Sequence, residues 1–190
     1  EINSSQSISF DGVDDYVEIN STVLDETFSG TNPFTVSLWI YGNSGGNNGS
    51  YAEIFDKGNT NNSGGNPSSV MLLKQSNGDV TFILYTAHLN FIYVNADPEI
   101  LDVDTWNHIT ATYDGGLGSS ALKLYKNGAL YDNVTNVING TYTGVNTSAN
   151  EPFHLGIRVQ GNGITHKPFY GKMDRLGIFN EALSDSQILE

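Results

Sequence analysis

The chain has 190 residues and a net charge of −13, with 8 Lys plus Arg against 21 Asp plus Glu. Such a surface repels nucleic-acid phosphates and anionic membranes, because it can neither neutralise phosphates nor release their counterions. The absence of cysteine excludes disulfides, thiolate zinc sites and cysteine nucleophiles, and no apolar run approaches the roughly 18 residues of a membrane-spanning helix.

The length fits one domain over residues 1–190. With 38% hydrophobic and 11% aromatic residues the chain can fill a core between two sheets, and 21 glycines against 5 prolines suit many tight turns rather than a stiff linker. Glu1 stands almost directly before strand-like sequence, so the chain reads as a processed product or a module of a longer protein.

In chain order, residues 7–10 alternate polar and apolar, Asp11-Gly12 turns, and residues 16–19 form a second short strand. A polar loop is expected up to Asn32. Residues 34–41 are the clearest strand: Phe34, Val36, Leu38 and Ile40 share the core face, while Thr35, Ser37 and Trp39 share the other. Strands at 53–56, 70–73, 80–85 and 91–94 follow, separated by Gly/Asn/Ser loops at 43–50 and 59–69 and by an Asn77-Gly78 hairpin turn. Residues 106–113 and 121–126 form a strand pair that ends on Asn127-Gly128. There Leu122 and Leu124 face inward and turn Lys123 and Tyr125 outward. Residues 133–150 read as polar and turn-rich. Residues 153–159 alternate again, with Phe153, Leu155, Ile157 and Val159 inward and His154 and Arg158 outward, before a polar loop at 160–167. The last strand runs from about 169 to 179. Its parity breaks at Asp174, which predicts a bulge. Only the tail, 184–189, looks helical, with Ser184 as N-cap. The fold class is all-β, a two-sheet antiparallel β-sandwich of jelly-roll type.

Six stretches in this order resemble a known family: residues 10–17 (FDGVDDYV), 34–40 (FTVSLWI), 54–58 (IFDKG), 106–114 (WNHITATYD), 122–128 (LKLYKNG) and 171–184 (GKMDRLGIFNEALS). Together the sequence resembles the laminin-G-like jelly-roll domains of the concanavalin A-like lectin/glucanase superfamily. The resemblance implies two curved antiparallel sheets and, frequently, a structural Ca²⁺. It leaves function open, since relatives include polysaccharide-binding modules, adhesion domains, pentraxin-like lectins, glycanases and lyases.

Catalysis finds no support in the motifs. A retaining glycosidase needs two carboxylates roughly 5 Å apart, and the Glu-x-Asp-x-x-Glu type of strand seen in the superfamily's glucanases is missing. Glu53 and Asp56 read with opposite parity. For the metal, Asp11, Asp14 and Asp15 occupy one turn. The first and last strands are neighbours in the family's fold, which makes Asp11 and Asp174 the expected Ca²⁺ ligands, with backbone carbonyls completing an oxygen cage. For a glycan, apolar sugar faces stack on aromatic rings while planar polar groups hold the hydroxyls. Trp39, Tyr125, His154 and Arg158 stand at outward positions, and His166 and Lys167 lie in the loop beside Arg158. These six are the candidate ligand-binding residues. Trp106 and Tyr113 are assigned to holding the sandwich together.

The resulting expectation is a secreted, non-catalytic carbohydrate-binding module. Its partner would be a polysaccharide or oligosaccharide, and it would be attached to a catalytic or surface domain. Two alternatives stay open: an adhesion domain that binds protein, and a polysaccharide-cleaving domain.

Overall fold

A computed structural model describes residues 7–43, 51–58, 69–97, 100–146, 151–159 and 165–189. The expected loops at 43–50, 59–69 and 160–167 fall largely outside these residues, as does the side chain of His166. The elements are β1 (Ile8–Asp11), β2 (Val17–Ile19), α1 (Thr22–Thr27), β3 (Phe34–Gly42), β4 (Ala52–Lys57), β5 (Val70–Lys74), β6 (Val80–Ala87), β7 (Asn90–Ala96), β8 (Trp106–Tyr113), β9 (Leu122–Lys126), β10 (Ala129–Leu130), β11 (Val134–Asn139), β12 (Phe153–Leu155), β13 (Arg158–Val159), β14 (Thr165–His166), β15 (Tyr170–Phe179) and α2 (Asp185–Ile188).

They form two antiparallel sheets. One has six strands in the order β1-β15-β3-β8-β9-β10, and the other seven in the order β11-β7-β6-β5-β4-β12-β2, with β13-β14 a small separate ribbon. The strong alternation of residues 34–41 is what fixes β3 at the centre of the first sheet. Phe34, Val36, Leu38 and Ile40 are all buried in the core between the sheets. Aromatic contacts bind the two layers: Phe34 of β3 meets Phe82 of β6 edge-on at 6.2 Å, and Phe28 bridges Phe34 at 4.8 Å and Phe153 of β12 at 5.9 Å. Such pairs add to their area burial because ring edges and faces carry opposite partial charge. Tyr113 is a core residue as expected. Trp106 is not, since it lies half-buried on the outer face of the six-stranded sheet against Tyr41.

Three local departures from simple alternation shape the site. First, the register shifts between Glu53 and Phe55. This bulge gives Ile54 and Phe55 both to the core and leaves Glu53 opposite Leu73 and Asp56 opposite Met71, on the outer face. Glu53 and Asp56 therefore share a face, contrary to the parity read from strict alternation. Second, the expected strand 153–159 breaks at Gly156. Its φ is +83°, its N–H donates to the Ile54 carbonyl, and a Cβ there would come within 2.4 Å of the Phe10 ring. Only glycine fits such a crossing, and the turn delivers Arg158 beside β4. Third, the register of β15 on β3 shifts between Asp174 and Gly177, with Arg175 at φ +51°, which is the bulge the sequence parity predicts.

Two segments differ from expectation. The polar loop before Asn32 contains α1, whose Leu24 packs against the core. The turn-rich stretch after Asn133 contains β11, paired to β7 from Val134↔Ala96 to Asn139↔Phe91. An edge strand makes hydrogen bonds on one side only, so it tolerates the Asn and Thr content that hides it in the sequence. The tail helix forms as expected, and the Ser184 N–H donates to Gln187 Oε1 at 2.9 Å.

Candidate functional site

The outer face of the seven-stranded sheet carries a row of aromatic rings. Alternation on β6 and β7 that buries Phe82, Leu84, Ile92 and Val94 turns Ile83, Tyr85, Phe91 and Tyr93 outward. Tyr85 and Phe91 lie 5.2 Å apart and Phe91 and Tyr93 6.1 Å apart, the second pair nearly parallel at 24°. All three rings are half-buried, seated on a small apolar cluster of Met71, Leu73 and Ile83.

Two polar group sets flank the row. One is a network around the turn before β6. Asp79 Oδ2 accepts from Asn77 Nδ2 at 2.8 Å and from Asn95 Nδ2 at 3.0 Å, and Gln75 Nε2 donates to Thr81 Oγ1 at 2.9 Å. On the β4 side Arg158 donates through Nε and Nη2 to Glu53 Oε1 and reaches the Tyr51 hydroxyl at 3.4 Å. Lys167 places its ammonium 4.3 Å from the centroid of the Tyr51 ring, and its carbonyl accepts the Glu53 N–H at 2.9 Å. Glu53 is fully buried. Burial pushes its carboxyl up, with the Arg158 charge pulling against that shift, while the carboxylate holds the guanidinium protonated. Burial also pushes up the Tyr85 phenol, which senses Arg158, Glu53, Tyr51 and Asp56. Tyr85 is thus the ring of the row that senses the charged group.

The six candidate ligand residues separate into two groups on opposite faces. Arg158 and Lys167 belong to the site just described. Arg158 is not a free cation awaiting a ligand but half of a buried ion pair. His154 is on the same sheet but only 2% exposed, its Nε2 3.4 Å from Glu18 Oε2 and its ring against Tyr16. Burial lowers its pKa, with Glu18 opposing the shift, and it is a packed residue rather than a surface contact. The backbone of His166 pairs with Arg158, and its side chain lies outside the described residues. Trp39 and Tyr125 are on the outer face of the six-stranded sheet instead. Tyr125 is outward in parity, as expected, yet 1% exposed, because the C-terminal segment covers it. Its hydroxyl donates to Asp185 Oδ1 at 2.8 Å, and burial together with that carboxylate pushes the phenol up to about 12. It cannot serve as a stacking platform.

Asp11 and Asp174 do not meet. The strands β1 and β15 are neighbours as expected, but Asp11 pairs with Tyr170, four residues before Asp174, so the two are about 13 Å apart along the sheet. Asp174 instead lies beside Trp39 and accepts the Arg175 N–H. The turn does gather Asp11, Asp14 and Asp15, with ligand atoms within 4.8 Å of one another. Asp11 Oδ1 accepts the Val13 N–H and Asp15 Oδ2 accepts the Asp11 N–H, which fixes two of the three carboxylates by the turn itself. A set of three exposed carboxylates fits a hard, oxygen-seeking cation.

The residues missed from sequence were Tyr85, Phe91 and Tyr93. Their signal was available: all three occupy the outward parity of two strands joined by a short turn.

The architecture recurs in solved structures. A carbohydrate-binding module, CBM40, of a Ruminococcus gnavus IT-sialidase, bound to α2,3-sialyllactose, superposes with a TM-score of 0.71 at 14% identity, covering 96% of this chain and 94% of that one. A SAP-like pentraxin from Limulus polyphemus gives 0.64 at 17% identity, with 96% and 79% covered. Domain 4 of an extracellular arabinanase from Geobacillus stearothermophilus, in complex with arabinotriose, gives 0.62 at 21% identity, with 96% and 74% covered. At these identities the likeness carries the fold. No curated protein matches the sequence. A laminin-G-type family model matches residues 11–189, nearly the whole chain, and the protein belongs to the concanavalin A-like lectin/glucanases superfamily.

Proposed function

We propose that this chain is a carbohydrate-binding module that holds a saccharide on the outer face of its seven-stranded sheet. The observation that carries this reading is the row Tyr85, Phe91 and Tyr93, half-exposed and flanked by two sets of hydrogen-bonding groups. Sugar rings present apolar C–H faces and an equatorial belt of hydroxyls, so a binding surface needs flat rings with planar polar groups at their margins. The amide network of Asn77 and Asn95 supplies one margin, and Tyr51 with Arg158 supplies the other. Glu53 holds the guanidinium in place before a ligand arrives, which reduces the ordering cost of binding. The saccharides named for the sialidase module and the arabinanase domain support this reading by precedent. In a secreted protein with an attached catalytic or surface domain, such a module raises the effective concentration of its partner at the polymer.

A glycan-array screen followed by titration tests the assignment. The Tyr93→Ala variant is expected to lose about tenfold in affinity for the selected saccharide, the size of one lost ring contact, with its melting temperature nearly unchanged. Undiminished affinity in that variant would remove the ring row from the site.

We further propose a structural Ca²⁺ held by Asp11, Asp14 and Asp15, where the ion would offset the mutual repulsion of three carboxylates in one turn. Chelation is expected to lower the melting temperature of the wild-type chain and to leave an Asp14→Asn, Asp15→Asn double variant unaffected. Identical wild-type melts with and without chelator would eliminate the ion.

A further inference from the structure

The outer face of the six-stranded sheet is divided in two. One end is covered by the chain's own C-terminal segment: Thr35 Oγ1 donates to the Glu181 carbonyl and accepts the Leu183 N–H, and Tyr125 is bound by Asp185. At the other end, on the same two central strands β3 and β8, four rings stay half-exposed. They form two cross-strand pairs. Trp39 lies 5.1 Å from His108, and Tyr41 lies 5.6 Å from Trp106. The pairs sit two residues apart along the strands, about 7 Å.

We propose that this end is a second saccharide surface, on which Trp39, Tyr41 and Trp106 stack an uncharged pyranose chain. The contrast within one face is the first support. A ring that serves only packing is sealed there, as Tyr125 is at 1% exposure, whereas these rings keep an open side. Charge is the second. The outward positions of β3 and β8 hold Thr35, Ser37, Trp39 and Tyr41, and Trp106, His108, Thr110 and Thr112, with no carboxylate and no permanent cation, in a chain of net charge −13. Burial lowers the His108 pKa, which favours the neutral ring. Among the described residues, charged groups of both signs stand at the border: Lys172 lies 5.7 Å from the Tyr41 ring, Asp174 lies beside Trp39 with Arg175 next to it, and the Asp104 N–H donates to the Gly42 carbonyl. Opposite signs at the border favour neither a polyanion nor a polycation, and they suit a ligand recognised by hydroxyls. The third support is the absence of any aliphatic side chain among those outward positions. A protein-docking core would be expected to include them, whereas Ser37, Thr110 and His108 form a hydrogen-bonding set, with Ser37 Oγ 2.6 Å from His108 Nε2.

The chain contains two tryptophans, Trp39 and Trp106, and both are on this surface, so tryptophan emission, excited selectively over the tyrosines, reports on it. The full chain would be titrated with three neutral polymers, barley β-glucan, galactomannan and arabinan, with polygalacturonate as the acidic arm and gelatin as the protein arm. At least one neutral polymer is expected to quench or shift the emission and to retard the protein in affinity electrophoresis. Trp39→Ala should weaken that retardation about tenfold. Should Trp39→Ala fail to fold, Tyr41→Ala and Lys172→Ala read the same surface from its edge, each weakening retardation severalfold. The emission response should persist in Tyr93→Ala, which separates this surface from the one on the opposite sheet. An emission unmoved by all three neutral polymers overturns the proposal, as does a response confined to polygalacturonate and abolished by salt, or one produced only by a protein such as gelatin.

Discussion

Replacing Arg158 with alanine is expected to destabilise the protein before it affects any ligand. Glu53 is fully buried in the sheet, and its Oε1 accepts both guanidinium bonds while its Oε2 has no hydrogen-bond partner among the described residues. Taking away the cation leaves a desolvated carboxylate. Breaking a buried pair from one side costs about 3–5 kcal/mol, far more than the pair itself contributes over a hydrophobic isostere. For a chain of this size that is roughly a 10 °C fall in melting temperature. A variant that melts like the wild type would show that the pair is solvated and contributes nothing to the fold.

The pH dependence follows from the sign of the Glu53 shift. Its folded-state pKa is raised above the model-compound value of 4.5, burial being the largest cause. A carboxyl raised on folding binds more protons in the native state, so its contribution is fully present below the unfolded value and is lost as pH rises through the folded one. Removing Arg158 deletes the two strongest effects that hold the pKa down, and so widens that window upward. The deficit of Arg158→Ala should therefore be largest at neutral pH and shrink on acidification towards pH 4.5. Glu53→Gln in the Arg158→Ala background should recover part of the loss at pH 7, because an amide tolerates the site without a counter-charge. Thermal melts across pH read both effects. A deficit independent of pH, or one unrelieved by Glu53→Gln, would locate the damage in packing around the Arg158 stem rather than in charge.

The strands were legible because their outward and inward residues differ. Residues 34–41 show this in full, and Asn127-Gly128 marks its turn with Asn127 at φ +52° and Gly128 at φ +84°. Even the bulge at Asp174 could be read from broken parity. The site was less legible for three physical reasons. The bulge at Glu53 leaves no mark in composition, yet it moves a carboxylate to the other face and makes it the partner of Arg158. Outward parity does not mean exposure, as Tyr125 and His154 show: one is covered by a helix distant in sequence and the other by its own neighbours. Strand adjacency also does not give register, so neighbouring β1 and β15 still hold Asp11 and Asp174 apart.

Lys57→Met is expected to cost about 3 kcal/mol, through loss of one buried pair, or roughly 6–12 °C in melting temperature. From sequence Lys57-Gly58 reads only as the end of a strand. In the structure Lys57 takes a core-side position on β4, opposite Val70 and Phe153, and is 2% exposed. Its stem runs along apolar surface, and its ammonium emerges at the rim, donating to Asp25 Oδ1 and to the Glu151 carbonyl, both at 2.6 Å. One side chain thus ties α1 and the approach to β12 onto β4, the strand that carries Glu53 and Asp56. Methionine keeps the stem volume and removes the ammonium with both of its hydrogen bonds, so the loss measures those polar contacts rather than a cavity. Lys126→Met is the control. Its partner Asp102 is 57% exposed, and an exposed pair of this kind contributes about 0–1 kcal/mol. Comparable shifts in the two variants would mean that Lys57 acts only as a solvated surface charge. A large shift for Lys57 alone, relieved by adding Asp25→Leu, would identify it as the tie that holds the rim of the seven-stranded sheet, and with it the frame of the saccharide face.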